Sequence, residues 1–277
     1  MNVNDIINSL NVIAENLFKA VEGEVYVILD DIVIISSNIL KIEPLKTILN
    51  SSGIISIANA LILFYITYFM LTQIISLYNG YKTENFYLFI IKIVVILSLV
   101  NNSKFLIEVI LNILDSITYA IDVFCNNISK QDITFSNLKE KILSIKDFMK
   151  NDLISLDGLI KGIISFGVIT ILINFSVRYV TIILFIIIFP IILITLTSNL
   201  TSGIFKTYFK LLTTLLFTQV IVKLVILIPI MYKDVNSIMY KIILVGSIYI
   251  IYRINMFVKD LFSKISDESK IDSIFRK

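Results

Sequence analysis

Residues 53–78 read GIISIANALILFYITYFMLTQIISLY and contain no charged side chain. A helix of about 20 apolar residues crosses the hydrocarbon core of a bilayer, so this run can span it with some tilt. The whole chain shares this character: 57% of its 277 residues are hydrophobic and 16% are charged, against about 25% charged in soluble domains. The mean hydropathy is +0.91. The sequence therefore predicts an all-α integral membrane protein.

Further apolar runs predict a polytopic transmembrane helical bundle of six or seven spans. They lie at residues 86–100, 158–199, 211–232 and 242–257. The run 158–199 carries only Lys161 and Arg178 as charges and is about twice the length of one span. We therefore expect two spans there, joined by a corner near residues 174–178.

The segment 105–124 permits two placements. Glu108, Asp115 and Asp122 follow one another at intervals of seven residues, with Asn112 between them. On a helix this spacing puts all four on one stripe, opposite an apolar face. Such a helix either lies in the membrane interface or spans the bilayer with its polar stripe turned towards a bundle interior or a water path.

Three segments divide the chain: an amphipathic N-terminal helical region (1–52), a transmembrane helical domain (53–257) and a charged tail (258–277). In the first, apolar residues recur at helical spacing in two groups. These are Ile6, Leu10, Ile13 and Leu17, then Val25, Ile28, Ile32, Ile35 and Ile39 around Asp30 and Asp31. Within the second, residues 125–157 are polar and lysine-rich, and predict a loop with a short amphipathic helix around residues 138–149.

The distribution of lysine and arginine predicts the topology, because cytoplasmic loops of membrane proteins are enriched in both. Twelve of the 24 fall in residues 125–157, in the polar hinge 201–210 and in the C-terminal tail. Both placements of residues 105–124 leave these three regions on one side. The sequence thus predicts a multi-pass protein of the cytoplasmic membrane with a cytoplasmic C-terminus.

The composition argues against an enzyme. The chain has no histidine and one cysteine, Cys125, and it lacks a phosphate-binding glycine loop or a metal-ligand motif. We therefore expect no catalytic residue, no cofactor and no metal site. The net charge of +3 is spread along the chain, which argues against sequence-specific DNA binding.

Polar residues within apolar runs are the candidate functional residues. A lysine near the middle of a span, such as Lys223, costs about 2.5–3.5 kcal/mol on insertion scales. It either faces a hydrated conduit, pairs with Asp115 or Asp122, or extends its amine to one membrane surface. Arg178 fits a charge at a membrane-surface turn, and Pro190 predicts a helix kink.

The C-terminal half resembles a known family. Arg178-Tyr179 is followed by an apolar stretch to Pro190, then by Ser198, Thr201-Ser202 and Phe205-Lys206, and by a span containing Gln219. This pattern, strongest over residues 165–225, is similar to the TrbL-type polytopic inner-membrane subunits of type IV secretion systems, especially conjugation proteins of Gram-positive bacteria. The chain departs from that family in its short C-terminal tail.

The resemblance implies a non-enzymatic channel subunit that passes single-stranded DNA with its attached protein, or protein substrates, across the cytoplasmic membrane. Its partners would be other secretion-system subunits and their ATPases, further copies of itself, membrane lipid and, transiently, the translocated substrate. Glu108, Asp115, Asp122, Arg178, Gln219 and Lys223 are the residues that could line a conduit. Two alternatives stay open: a small-molecule transporter or permease subunit with a polar intramembrane site, and a structural membrane scaffold.

Overall fold

The computed structural model describes residues 12–13, 16, 21–49, 53–80, 85–129, 132–145, 156–198 and 201–268, and every regular element among them is helical. The predicted all-α class is confirmed. The α-helices are α1 (Tyr26–Val33), α2 (Glu43–Ile48), α3 (Ile54–Tyr78), α4 (Phe86–Asn101), α5 (Ser103–Ser129), α6 (Phe135–Leu143), α7 (Leu156–Ile194), α8 (Ser202–Met231) and α9 (Ile238–Glu268).

Three of these helices, α3, α7 and α8, are long and apolar enough to cross a membrane. Helices α4 and α5 add a fourth candidate if the pair, which bends by 63° at a short break, counts as one broken span. The structure thus agrees with a membrane protein of several apolar helices. The predicted six or seven spans are not confirmed.

The predicted corner near residues 174–178 is wrong. Helix α7 runs from Leu156 to Ile194 without a break, which at 1.5 Å per residue makes it about 58 Å long. A polar side chain near the predicted corner pairs with the backbone of the same helix: Ser176 Oγ donates to the Leu172 carbonyl at 2.8 Å. The helix also continues through the buried Pro190.

Local capping explains where several helices begin and end. Gly80, with φ of 71°, adopts the left-handed conformation after α3, which glycine reaches without strain. The Asn85 side chain accepts from Tyr87 N at 3.1 Å at the start of α4, and the Thr134 side chain accepts from Asn137 N at 3.1 Å at the start of α6. Each cap satisfies an N–H that the helix leaves unpaired.

Two compact units make up the chain. Unit 1 comprises Met1–Ile35, Leu114–Val180 and Thr214–Lys277, and unit 2 comprises Ser36–Ile113 and Thr181–Thr213. Unit 1 therefore draws on all three segments predicted from the sequence. The residues discussed below as a functional site belong to unit 1.

One apolar core holds unit 1 together. Along α7, Ile164, Val168, Ile171 and Phe175 are buried, at intervals of four, three and four residues, which is the spacing of one helix face. On α9 the buried positions include Leu244, Ile248 and Ile251. Gly167 allows a close approach, since a Cβ there would lie 2.5 Å from Ile248 Cγ2.

Unit 2 contains an aromatic contact in each of two helix pairs. Phe69 of α3 stacks on Phe89 of α4 with ring centroids 3.5 Å apart. Phe185 and Tyr208 stack at 4.8 Å, and the Tyr208 hydroxyl donates to the Phe185 carbonyl. Asn59 Nδ2 also donates to Asn101 Oδ1 at 3.1 Å between α3 and α4. Such interhelical polar contacts stabilise helix pairs in lipid by about 0.6–2 kcal/mol.

The N-terminal region buries the predicted apolar positions in part: Ile35 and Ile39 are buried, and Val25 and Ile32 are partly buried. Tyr26, Leu29 and Val33 of α1 are buried in the core of unit 1, whereas Ile28 is 40% exposed. Helix α1 packs on α6, so a protein neighbour selects its buried face. Of the first predicted group, only Ile13 lies among the described residues.

The contact between α6 and the end of α8 bears on the predicted topology. Lys141 of α6 donates to the carbonyls of Ile230 and Tyr232 at the C-terminal end of α8. At 30 residues, α8 is about 45 Å long, which exceeds the hydrocarbon thickness. If α8 crosses the membrane, its hinge end and its α6 end face opposite sides. The predicted hinge 201–210 is helical from Ser202 onwards, as the start of α8. A crossing by α8 therefore puts these residues and α6 on opposite sides, whereas the lysine distribution predicts one side for both.

We expect cysteines at Ser144 and Lys206, both exposed positions, to react with an impermeant maleimide from opposite sides of sealed vesicles. The background carries Cys125→Ala, since Cys125 is the one native thiol. Asn236→Cys is the matched control and should label from the same side as Ser144→Cys. Labelling of Ser144→Cys and Lys206→Cys from one side would contradict a crossing by α8.

Candidate functional site

We call four polar residues inside unit 1 the buried polar set: Arg178, Gln219 and Lys223, which are buried, and Asp122, which is half-buried. Gln219 and Lys223 lie one turn apart on α8, at the i, i+4 spacing that places side chains on one helix face. Both are buried, with exposed fractions of 0% and 4%. Helix α8 therefore turns a polar stripe inwards, towards the core of unit 1.

Lys223 forms an ion pair with Asp122 of α5, in contact with its Oδ2 atom. The lysine side chain is 5% exposed and the aspartate side chain 31% exposed. The ammonium therefore depends on its partner for charge compensation, while the carboxylate retains access to its surroundings. An unpaired charge in apolar surroundings would cost several kcal/mol.

Asp122 is the member of the predicted acidic stripe that contacts Lys223. Glu108 and Asn112 are exposed and Asp115 is half-buried. Thr118, between Asp115 and Asp122, is buried and donates to the carbonyls of Leu114 and Asp115 within the helix. Of the two partners predicted for Lys223, the structure thus brings Asp122 to it.

Arg178 is buried in α7, not at a membrane-surface turn as the sequence predicts. Its exposed fraction is 2%. Nε donates to the Leu215 carbonyl at 2.9 Å and Nη1 to the Val33 carbonyl at 3.2 Å, and the guanidinium lies 5.2 Å from the centre of the Phe175 ring. Because the predicted corner does not exist, the arginine sits within a continuous helix, where carbonyls and an aromatic face surround it.

Gln219 binds the backbone of one residue with both ends of its amide. Oε1 accepts from Ile35 N at 2.9 Å, and Nε2 donates to the Ile35 carbonyl at 3.3 Å. The side chain thus pairs with Ile35 as a neighbouring β-strand would. It joins two parts of the chain that are 184 residues apart in sequence.

Together, Arg178 and Gln219 fix the last residue of α1 and the two non-helical residues that follow it, which we call the clamped segment (residues 33–35). Ile34 has extended backbone angles, φ of −94° and ψ of 103°, so helical hydrogen bonds stop here. Unpaired backbone groups are costly inside a membrane protein, and irregular backbone occurs there only where protein or water satisfies it. The two side chains supply partners for the carbonyl of Val33 and for both polar groups of Ile35.

Sequence reasoning missed Asp30 as a functional residue. Its Oδ1 accepts from Phe135 N at 2.6 Å, and its Oδ2 accepts from Ser136 N at 3.0 Å and from Ser136 Oγ at 2.6 Å. The carboxylate caps the N-terminus of α6, where backbone N–H groups favour an anion. An acidic pair within an apolar pattern was the visible signal, but its partner lies over 100 residues away.

Lys141 was also missed. Its ammonium caps the C-terminal carbonyls of α8, as described above, and such carbonyls attract cations. Burial lowers the pKa of Lys141 below its ordinary value of 10.5. In the sequence it is one of several lysines in a polar segment, and nothing distinguishes it from its neighbours.

No protein-family model, curated protein or solved structure matches the chain. Within the described residues, no group of three or more His, Cys, Asp and Glu side chains is placed to hold a metal ion. The buried polar set therefore has to be interpreted from its own geometry: one ion pair between helices, and two side chains that hold the clamped segment.

Proposed function

We propose that the chain is a membrane-embedded, non-enzymatic subunit of a type IV secretion or conjugation channel. The observation that supports this is the convergence of Arg178 and Gln219 on the clamped segment. These are two of the residues on which the resemblance to TrbL-type subunits rests. Through these contacts both residues help to hold the fold together. Both also lie within residues 165–225, where the resemblance to the family is strongest.

In this proposal the chain contributes a shaped, partly polar helical assembly, and separate ATPases supply the energy. Further copies and other secretion-system subunits complete the path, through which the DNA-protein or protein substrate passes transiently. Asp122 is the more exposed member of its ion pair and is the charge of that pair that a hydrated path would reach first. Apolar side chains that cover α3 and α4, such as Phe64, Tyr87 and Val94, supply contact with lipid or with neighbouring subunits.

We place the chain in the cytoplasmic membrane, with its C-terminus on the cytoplasmic side. The basic residues of the predicted tail 258–277 support this side: Lys259, Lys264, Lys270, Arg276 and Lys277.

Deleting the gene is expected to abolish conjugative transfer or secretion while leaving growth unchanged. Transfer frequency to a recipient strain, with the intact gene supplied in trans as the control, is the measurement. The Gln219→Leu variant, supplied at matched protein level, should restore transfer less than the Thr218→Val variant does. Transfer that continues undiminished in a confirmed deletion would remove the channel proposal.

A small-molecule permease is the second candidate, and the Lys223–Asp122 ion pair favours it specifically. Ionisable residues inside a membrane often mark ion or substrate pathways, including proton relays. A permease predicts solute uptake by vesicles that contain this chain alone, whereas a channel subunit requires its partner proteins. The neighbouring genes distinguish the channel proposal from the permease proposal. Genes for conjugative ATPases would accompany a channel subunit, whereas a substrate-specific gene cassette would accompany a permease.

A further inference from the structure

A cavity of about 650 Å³ lies within unit 1 at the C-terminal end of α8. Residues of α6, the last residues of α8 and the turn that follows it line its wall. Its size falls in the range of small-molecule sites, about 300–1,000 Å³. The proposed function assigns no role to it.

The wall carries charge of both signs, with cations in excess. Lys141 and Lys233 contribute two ammonium groups and Glu140 one carboxylate, and Asn137 and Ser144 add uncharged polar groups. Two of the three Lys141 donors are used by carbonyls of α8. This fixes the ammonium in place on the wall and leaves one N–H for a ligand.

The position of the cavity indicates the source of a ligand. Helix α8 is one of the membrane-crossing candidates, and the polar turn from Tyr232 to Ser237 follows it directly. The end of an apolar helix beside a polar turn is where phospholipid head groups lie. Ile128, 51% exposed, adds apolar surface to the same wall.

We propose that this cavity binds the head group of an anionic glycerophospholipid of the phosphatidylglycerol class. The phosphate accepts hydrogen bonds from Lys141 and Lys233, and the head-group hydroxyls donate to Glu140 and exchange hydrogen bonds with Asn137 and Ser144. A wall with one net positive charge matches a ligand with one net negative charge. Basic pockets beside membrane helices bind anionic head groups in this way.

Native mass spectrometry of the full chain in detergent, titrated with single lipids, tests the proposal. We expect one phosphatidylglycerol to bind more tightly than phosphatidylcholine or phosphatidylethanolamine. Lys233→Gln should weaken phosphatidylglycerol binding by about fivefold, the usual contribution of one lysine at an anionic surface. Lys139→Gln is the matched control, because Lys139 lies on α6 but does not line the cavity, and it should bind as the unaltered chain does.

Two further measurements keep the proposal falsifiable. Ser144→Cys, on the cavity wall, should react more slowly with a maleimide when phosphatidylglycerol is present, and glycerol phosphate alone should not give this protection. Protection by glycerol phosphate at the same concentration would mean a site for free phosphates and would overturn the lipid assignment. Equal binding of phosphatidylglycerol by the unaltered chain and Lys233→Gln, or equal binding of phosphatidylethanolamine, would overturn it as well.

Discussion

Replacing Asp122 by alanine is expected to lower the free energy of unfolding more than replacing Lys223 by alanine. The first change leaves an ammonium that is 5% exposed without its counter-ion, whereas the second leaves a carboxylate that is 31% exposed. Removing one member of a buried ion pair costs about 3–5 kcal/mol, and we expect Asp122→Ala to approach that value. Lys223→Ala should cost less, because the remaining carboxylate can reach water or a polar head group.

The double variant Asp122→Ala/Lys223→Ala should be more stable than the sum of the two single losses predicts, since it buries no unpaired charge. Thermal unfolding of the detergent-solubilised chain measures all three variants. Glu108→Ala is the control: Glu108 lies on the same helix, is exposed, and its loss should change stability by less than about 0.5 kcal/mol. Additive losses in the double variant would mean that the two charges do not depend on each other.

Gln219→Leu is the second change with a large expected effect. Leucine has a similar volume but leaves both the N–H and the carbonyl of Ile35 without a partner inside the protein. Each unsatisfied buried backbone group costs about 1–3 kcal/mol, so the clamped segment should open far more often. Hydrogen exchange of the Ile35 amide, followed by mass spectrometry on a peptide covering residues 26–40, should accelerate by at least tenfold.

Thr218→Val provides the control for this variant. Thr218 is the preceding residue and is equally buried, at 1% exposed, but its hydroxyl donates to the Thr214 carbonyl within α8. Its removal orphans no distant backbone group, so exchange at Ile35 should stay unchanged. Equal exchange in Gln219→Leu and in the unaltered chain would show that the amide does not hold the segment.

The composition and the length of the apolar runs were sufficient to predict the helical class and the strongly apolar helices. Both features follow from the apolar character of the chain and need no particular contact partner. The buried face of each helix could not be predicted in the same way. Helix α7 is apolar nearly all round, so nothing in its sequence distinguishes the buried Ile164 and Val168 from the exposed Ile163 and Phe166. Only its neighbours in three dimensions make that distinction.

In the candidate site, too, some features were predictable from the sequence and others were not. Lys223 was identifiable because a charge within an apolar run is costly wherever it lies, and the i, i+7 spacing of the acids limited its partners. Arg178 was misplaced, because a charge in the middle of a long run resembles the end of one span and the start of another. The backbone partners of Arg178 and Gln219 carry no sequence signal, since any residue presents the same N–H and carbonyl.

The contacts of the clamped segment restrict the order in which the chain can fold. Ile35 leaves the ribosome well before Gln219, from which it is separated by 184 positions, and domains form progressively as the chain emerges at about 5–20 residues per second. For that interval the backbone of Ile35 has no partner from α8 and must be satisfied by water or by the translocation machinery. The hydrogen bonds that hold Ile35 can therefore form only after α8 has been synthesised, which makes them a late step of folding.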